Sequence, residues 1–144
     1  MDHVAIMKKS WGLLPKIISG QKTIESRWYQ SRRPPWDSIK SGEAVYFKDT
    51  GNPVTVRCAV DRVLQFSDLT PAKVWEILHR YGREAGIDDS DIRKYFEIFK
   101  DKRYCLLIFL RNPKKISPFQ IDKKGFGAMA AWISVKDIES IRVK

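Results

Sequence analysis

The chain has 144 residues, with 27 Lys and Arg against 17 Asp and Glu, a formal net charge of +10 and a pI near 9.7. Hydrophobic residues make up 43% and charged residues 31%, which suits a single domain over residues 1–144 and excludes a disordered polyelectrolyte. No apolar run is long enough for a membrane helix and no signal-peptide pattern opens the sequence, so a cytoplasmic protein with no membrane partner is expected.

Val4 to Met7 is a short apolar run that reads as a buried first strand. Ser10 then offers an N-cap to an apolar helix over residues 11–18. Pro15 falls in the first turn of that helix, and Leu13, Leu14, Ile17 and Ile18 form its buried stripe. Gly20 stands just past it, where a glycine can turn the chain with positive φ and end the helix. Residues 23–29 are expected to be extended. Alternation then places Thr23, Glu25, Arg27 and Tyr29 on one face, and Ile24, Ser26 and Trp28 on the other. Lys22 occupies the corner between helix and strand.

Gln30 to Trp36 carries Arg32 and Arg33 with two prolines, which end the strand by removing backbone donors. Arginines between Trp28, Tyr29 and Trp36 suit a phosphate-binding rim, although each tryptophan taken alone is expected to be buried. After a turn at residues 39–43, a strand over 44–48 ends at Lys48, which is either plain surface or directed into a cleft. Gly51-Asn52 marks a hairpin into a long strand over 54–66, with a bulge or barrel bend expected near Ala59.

Thr70-Pro71 opens a helix that ends at Gly82 or Gly86, and Asp88-Asp89-Ser90 begins another, running to Phe99. A fully apolar strand follows over 104–110, and Lys114, Lys115, Lys123 and Lys124 make a second basic cluster. Gly125 to Met129 reads as a loop at the mouth of a cleft. Trp132-Ile133 starts a further element, Ser134 caps a short turn, and residues 138–143 form a last strand. Cys58 and Cys105 lie in strand-like runs and are expected to be buried free thiols. His3 and His79 stand far apart with no cysteine cluster, so no metal site is expected, and His79 is read as a structural histidine.

The string Gly20-x-Lys22-x-x-Glu25-x-Arg27, with helix before it and strand after, resembles the signature of the ASCH domain of the PUA-like superfamily. Lys22 to Trp28 is especially similar to small stand-alone members. The segment Lys40-Ser41-Gly42-Glu43 with Val45 and Phe47 continues the likeness, and Arg111 to Phe119 resembles the strand and proline-containing loop near the end of such domains. This resemblance implies an α+β fold: a small PUA-like β-barrel of about five to six strands flanked by about three helices. It also implies RNA binding in a cleft beside the motif.

Under that reading the binding residues are Lys22, Arg27, Trp28, Tyr29, Arg32, Arg33 and Lys48. The partner is RNA or another nucleic acid, with a nucleoside or nucleotide as the alternative, and no cofactor. Some ASCH relatives hydrolyse the amide of acetylated cytidine with a threonine nucleophile, and a bacterial type is linked to RNA cleavage. In this chain the threonine's position is held by Glu25, so the amidohydrolase activity does not carry over. The alternative function is a metal-independent hydrolase with Lys22 and Glu25 as catalytic acid and base.

Overall fold

A computed structural model describes residues 1–144. One mixed sheet holds six strands: β1 (Asp2–Met7), β2 (Ile24–Tyr29), β3 (Ala44–Asp49), β4 (Val54–Phe66), β5 (Tyr104–Phe119) and β6 (Trp132–Val135). Their spatial order is β2-β5-β4-β3-β1-β6, and only the β1–β3 pair is parallel. A parallel pair needs a crossover rather than a tight turn. Here the crossover contains helix α1 (Leu13–Ile18) and strand β2, which carry the motif. Helices α2 (Pro71–Tyr81) and α3 (Ile92–Phe99) lie between β4 and β5 in sequence. The result is a half-barrel with three helices, the α+β architecture expected.

Side-chain alternation along the strands divides the interior into separate cores. Leu106 and Ile108 of β5 join Val45, Phe47, Val56 and Cys58 in the first core, inside the half-barrel. The intervening Cys105 and Leu107 join Ile24, Trp28, Val74, Leu78 and Phe99 in the second, beneath α2 and α3. Val4, Ile6, Val54, Ile133 and Ile138 make the third. Each fully buried aliphatic or aromatic side chain contributes about 1.5–3 kcal/mol, so this division stabilises both faces of the sheet.

Several local expectations hold. Thr70 caps α2, its hydroxyl accepting from the Lys73 N–H at 3.2 Å. Gly20 has φ +81°. The β4–β5 register shifts between Arg57 and Ala59, the bulge expected near Ala59. Cys58 and Cys105 are buried and free.

Others need correction. Ser10 is no N-cap, because Lys9–Trp11 forms its own 3-10 turn; α1 begins two residues later than expected, after Gly12 at φ +61°. Residues 111–119 do not leave the sheet as a loop. Asn112, at φ +52°, and the register shifts let β5 pass Pro113 and continue pairing with β4 to Phe119. Ser134 lies inside β6, and Asp137 does the capping instead, accepting from the Glu139 N–H at 2.9 Å. The expected last strand is a 3-10 turn, Ile138–Ser140, followed by one bridge between Ile121 and Arg142. Ile138 and Ile141 turn into the third core there.

Candidate nucleic-acid interface

The motif forms a buried ion-pair network. Lys22 Nζ sits 2.6 Å from the Ile24 carbonyl, 2.7 Å from the Ala85 carbonyl and 3.1 Å from Glu25 Oε1. An ammonium has three N–H donors, so every one of them has an acceptor. The other carboxylate oxygen, Oε2, accepts from Arg27 Nε at 2.7 Å. Lys22 and Glu25 are almost inaccessible, whereas the Arg27 side chain keeps 12% of its surface. Burial pulls the Lys22 ammonium below its ordinary value, opposed by Glu25. Burial alone would raise the Glu25 carboxyl, but Lys22 and then Arg27 outweigh it and hold it below the ordinary carboxylate range.

The chain around this network is arranged to admit Lys22. Its backbone N–H donates to the Lys16 carbonyl at 2.8 Å, fixing the corner after α1. The amides of Thr23 and Ile24 both reach the Glu84 carbonyl, at 2.8 and 2.9 Å, tying the strand's start to the loop after α2. Gly86 sits there at φ +89°. A Cβ on it would lie 3.1 Å from Lys22 Cδ and 3.2 Å from Leu13 Cδ2. Both the conformation and the close approach require glycine.

Beside the network opens a cavity of about 260 Å³, eleven of whose sixteen lining residues are hydrophobic. Lys22, Glu25, Arg27, Trp28 and Tyr29 all line it. Trp11, Tyr95 and Phe99 add aromatic walls, with Met7 and Ala131 on the far side. Trp28 stacks on Phe99, centroids 4.8 Å apart and planes within 7°, and is itself buried. The Tyr29 phenol is pushed up by burial, and its Oη lies 3.4 Å from the Pro34 carbonyl.

The remaining proposed residues lie elsewhere. Arg32 is exposed and packs over Trp36 and Tyr104, at 5.9 and 5.7 Å from their ring centroids. Arg33 is exposed beside it. Lys48 is buried and does not line the cavity. It pairs in register with Ile6, whose side chain belongs to the third core. Burial and then Lys123 press its ammonium below the ordinary value.

Sequence reasoning did not find Met7, Trp11, Tyr95 or Ala131 as site residues, because each reads as an ordinary core or loop residue. It also passed over His3, which is fully buried. The Glu43 carboxylate can only accept, so His3 Nε2 donates to it at 2.8 Å. Nδ1 forms a hydrogen bond with Ser134 Oγ, also at 2.8 Å. The Trp132 indole N–H lies 3.3 Å from both Nδ1 and Oγ. Ser134 is not among the residues lining the cavity.

With this geometry in hand, comparison with solved structures gives the fold its class. The chain superposes on the ASCH protein of Zymomonas mobilis with TM-score 0.68 at 22% identity, covering 96% of this chain and 90% of that one. A tyrosine-to-phenylalanine variant of the same protein gives TM-score 0.68 at 23% identity, covering 96% and 93%. The N-terminal domain of Staphylothermus marinus McrB is also similar, with TM-score 0.57 at 13% identity and coverage of 96% and 93%. No protein-family model matches the chain, and no curated protein sequence matches it. The fold is that of the ASCH domain, as the motif implies. No helix is long and apolar enough to cross a membrane.

Proposed function

We propose that this domain binds nucleic acid, single-stranded or structured RNA in particular, at the cavity beside the Gly-x-Lys-x-x-Glu-x-Arg motif. The carrying observation is the aromatic-walled cavity with a partly exposed arginine at its edge. At about 260 Å³ it falls below the roughly 300 Å³ at which pockets for drug-sized ligands begin. That suits one ring system, not a strand. Three of the five N–H donors of Arg27 are engaged, by Glu25, Ala131 and Met7. For the remaining donors a phosphate or a base carbonyl competes only with the Tyr29 side chain.

In this reading Lys22 and Glu25 hold Arg27 in place, and Arg32 and Arg33 meet phosphates outside the cavity. The net charge of +10 supports it, since cations that displace counterions from phosphates favour association. The ASCH resemblance points the same way.

The hydrolase alternative draws less support. Lys22 has no unpaired donor, and a carboxylate held below its ordinary pKa is a weak general base. Incubating the purified protein with labelled single-stranded RNA and with acetylcytidine separates the two readings. Retention of RNA without new products, with log affinity falling as log salt rises, is the expected result. Turnover of either substrate, or RNA affinity indifferent to salt, overturns it.

A further inference from the structure

We infer that the loop from Lys123 to Ala131 is a stacking arm, whose Phe126 and Met129 side chains contact nucleobases just outside the cavity. The inference rests on the nucleic-acid reading of that cavity. Met129 is 94% exposed and Phe126 39% exposed. Isolated exposed apolar residues are ordinary. These two differ because the segment that carries them is internally ordered, yet neither side chain joins any of the three cores.

Two tandem turns build the loop. The Phe126 N–H donates to the Lys123 carbonyl at 2.9 Å, and the Ala130 N–H to the Gly127 carbonyl at 3.2 Å. Lys123 Nζ clips the second turn by donating to the carbonyls of Ala128 and Ala130, at 2.8 and 3.1 Å. These four bonds hold the two turns together, while Phe126 and Met129 stay exposed.

The loop is continuous with the candidate site. Ala131 lines the cavity, and its carbonyl accepts from Arg27 Nη1 at 3.2 Å. Two residues of extended chain span at most about 7 Å, so Met129 cannot be far from the cavity rim. Thioether and phenyl groups offer flat, polarisable surfaces that bases stack on or wedge against whatever their identity. Lys123 and Lys124 bring positive charge to the same loop, which suits a polyanion and not an apolar protein partner.

The test uses the full chain with Phe126→Ala and Met129→Ala combined, and a short single-stranded RNA carrying 2-aminopurine at successive positions. Both side chains are exposed, so the variant should keep the wild-type thermal midpoint. Loss of a stacked base by alanine substitution predicts affinity about tenfold weaker. The fluorescence change of 2-aminopurine should disappear at one or two positions, while the salt slope stays as in the wild type. Unchanged affinity with an unchanged fluorescence response overturns the stacking arm alone, leaving the cavity reading intact. Co-sedimentation of the wild type, but not the variant, with anionic phospholipid vesicles, together with RNA binding alike in both, assigns the loop to a membrane surface and overturns it too. A wild-type chain that binds no RNA at low salt overturns both the arm and the function on which it rests.

Discussion

Arg27 Nη1 donates to the carbonyl of Ala131 at 3.2 Å, and the Arg27 guanidinium lies 5.2 Å from the ring centroid of Trp132. These contacts join the two ends of the sheet. Arg27 belongs to β2, Trp132 opens β6, and β2 and β6 are the edge strands of the six. An edge strand leaves backbone groups unpaired, and here a side chain spans the gap that backbone pairing does not close. The arginine of the motif therefore both lines the cavity and clasps its seam.

Replacing Arg27 should thus affect fold and binding together. Arg27→Ala leaves the buried Glu25 with Lys22 as its remaining partner. Breaking a buried pair costs about 3–5 kcal/mol, and the retained lysine places the loss near about 3 kcal/mol in urea unfolding. Arg27→Lys restores charge without the planar fork, so it should recover part of the stability but bind RNA at least about tenfold less tightly. Wild-type affinity in the lysine variant would remove the guanidinium from the interface.

Glu25 makes a specific contribution to the acid limb of stability. Its carboxyl is held below the ordinary 4.5, so the unfolded chain binds this proton more readily than the folded one. Stability from Glu25 is complete above the ordinary carboxylate range and is lost as pH falls through the lowered native value. Glu25→Gln strands two cations and should cost about 3 kcal/mol at pH 7. Below pH 4.5 its stability should fall less steeply with acid than that of the wild type. Parallel curves for the two proteins across that window would contradict the assignment.

How much of this was legible in the sequence depends on the range of the interaction. Alternation from Ile24 to Tyr29 already sets Glu25 and Arg27 on one face, and their 2.7 Å contact follows from that local rule. The Thr70 cap is local too. The carbonyl of Ala85 on Lys22 and that of Ala131 on Arg27 are not, being 63 and 104 residues away in sequence. Lys48 shows the same limit. Its strand was identifiable, but only the assembled sheet shows that Lys48 is buried and is not among the residues lining the cavity. For residues 111–119 the resemblance implied a strand and a proline-containing loop, whereas β5 runs on to Phe119 through Pro113. The bulge that accommodates it is a property of the β4–β5 pair.

Gly86 should be intolerant of substitution. Gly86→Ala imposes an L side chain at φ +89° and drives a methyl against Lys22 Cδ and Leu13 Cδ2. Strained positive-φ positions cost about 1–3 kcal/mol each. The Gly86→Ala protein should lose more than that φ-strain cost in chemical denaturation, whereas Gly51→Ala, with open space around it, should lose the φ-strain cost alone. Equal losses at the two sites would mean that Lys22 yields without cost.

Both thiols should be silent in the native protein. Burial pushes the Cys58 thiol up to about 12 and raises Cys105 well above its ordinary value. The thiolate is the reactive form. Iodoacetamide at pH 8 should therefore leave both unmodified in native buffer and alkylate both in denaturant, as read by intact mass. Rapid native labelling of either would contradict the closed first or second core.

A polar run joins β1 to β6 through His3, Ser134 and Trp132. His3 is hydrogen-bonded to Ser134 through Nδ1 and donates to Glu43 from Nε2, while Trp132 reaches toward both Nδ1 and the serine hydroxyl. Trp132 is also the ring over which Arg27 lies. The histidine network thus fixes the orientation of one wall of the seam. His3→Phe keeps the volume but strips partners from Ser134 and Glu43. Unsatisfied buried groups cost about 1–3 kcal/mol each, and Glu43 is partly relieved by the Lys40 N–H, which it accepts at 2.8 Å. A loss of about 2 kcal/mol is expected, with a shift in tryptophan emission as Trp132 is released. Ser134→Ala removes only the hydroxyl and leaves Glu43 on His3, so it should cost less than His3→Phe. Its RNA affinity should stay near that of the wild type, because Ser134 is not among the residues lining the cavity. A large loss of affinity in Ser134→Ala with stability intact would instead place this serine in contact with the ligand.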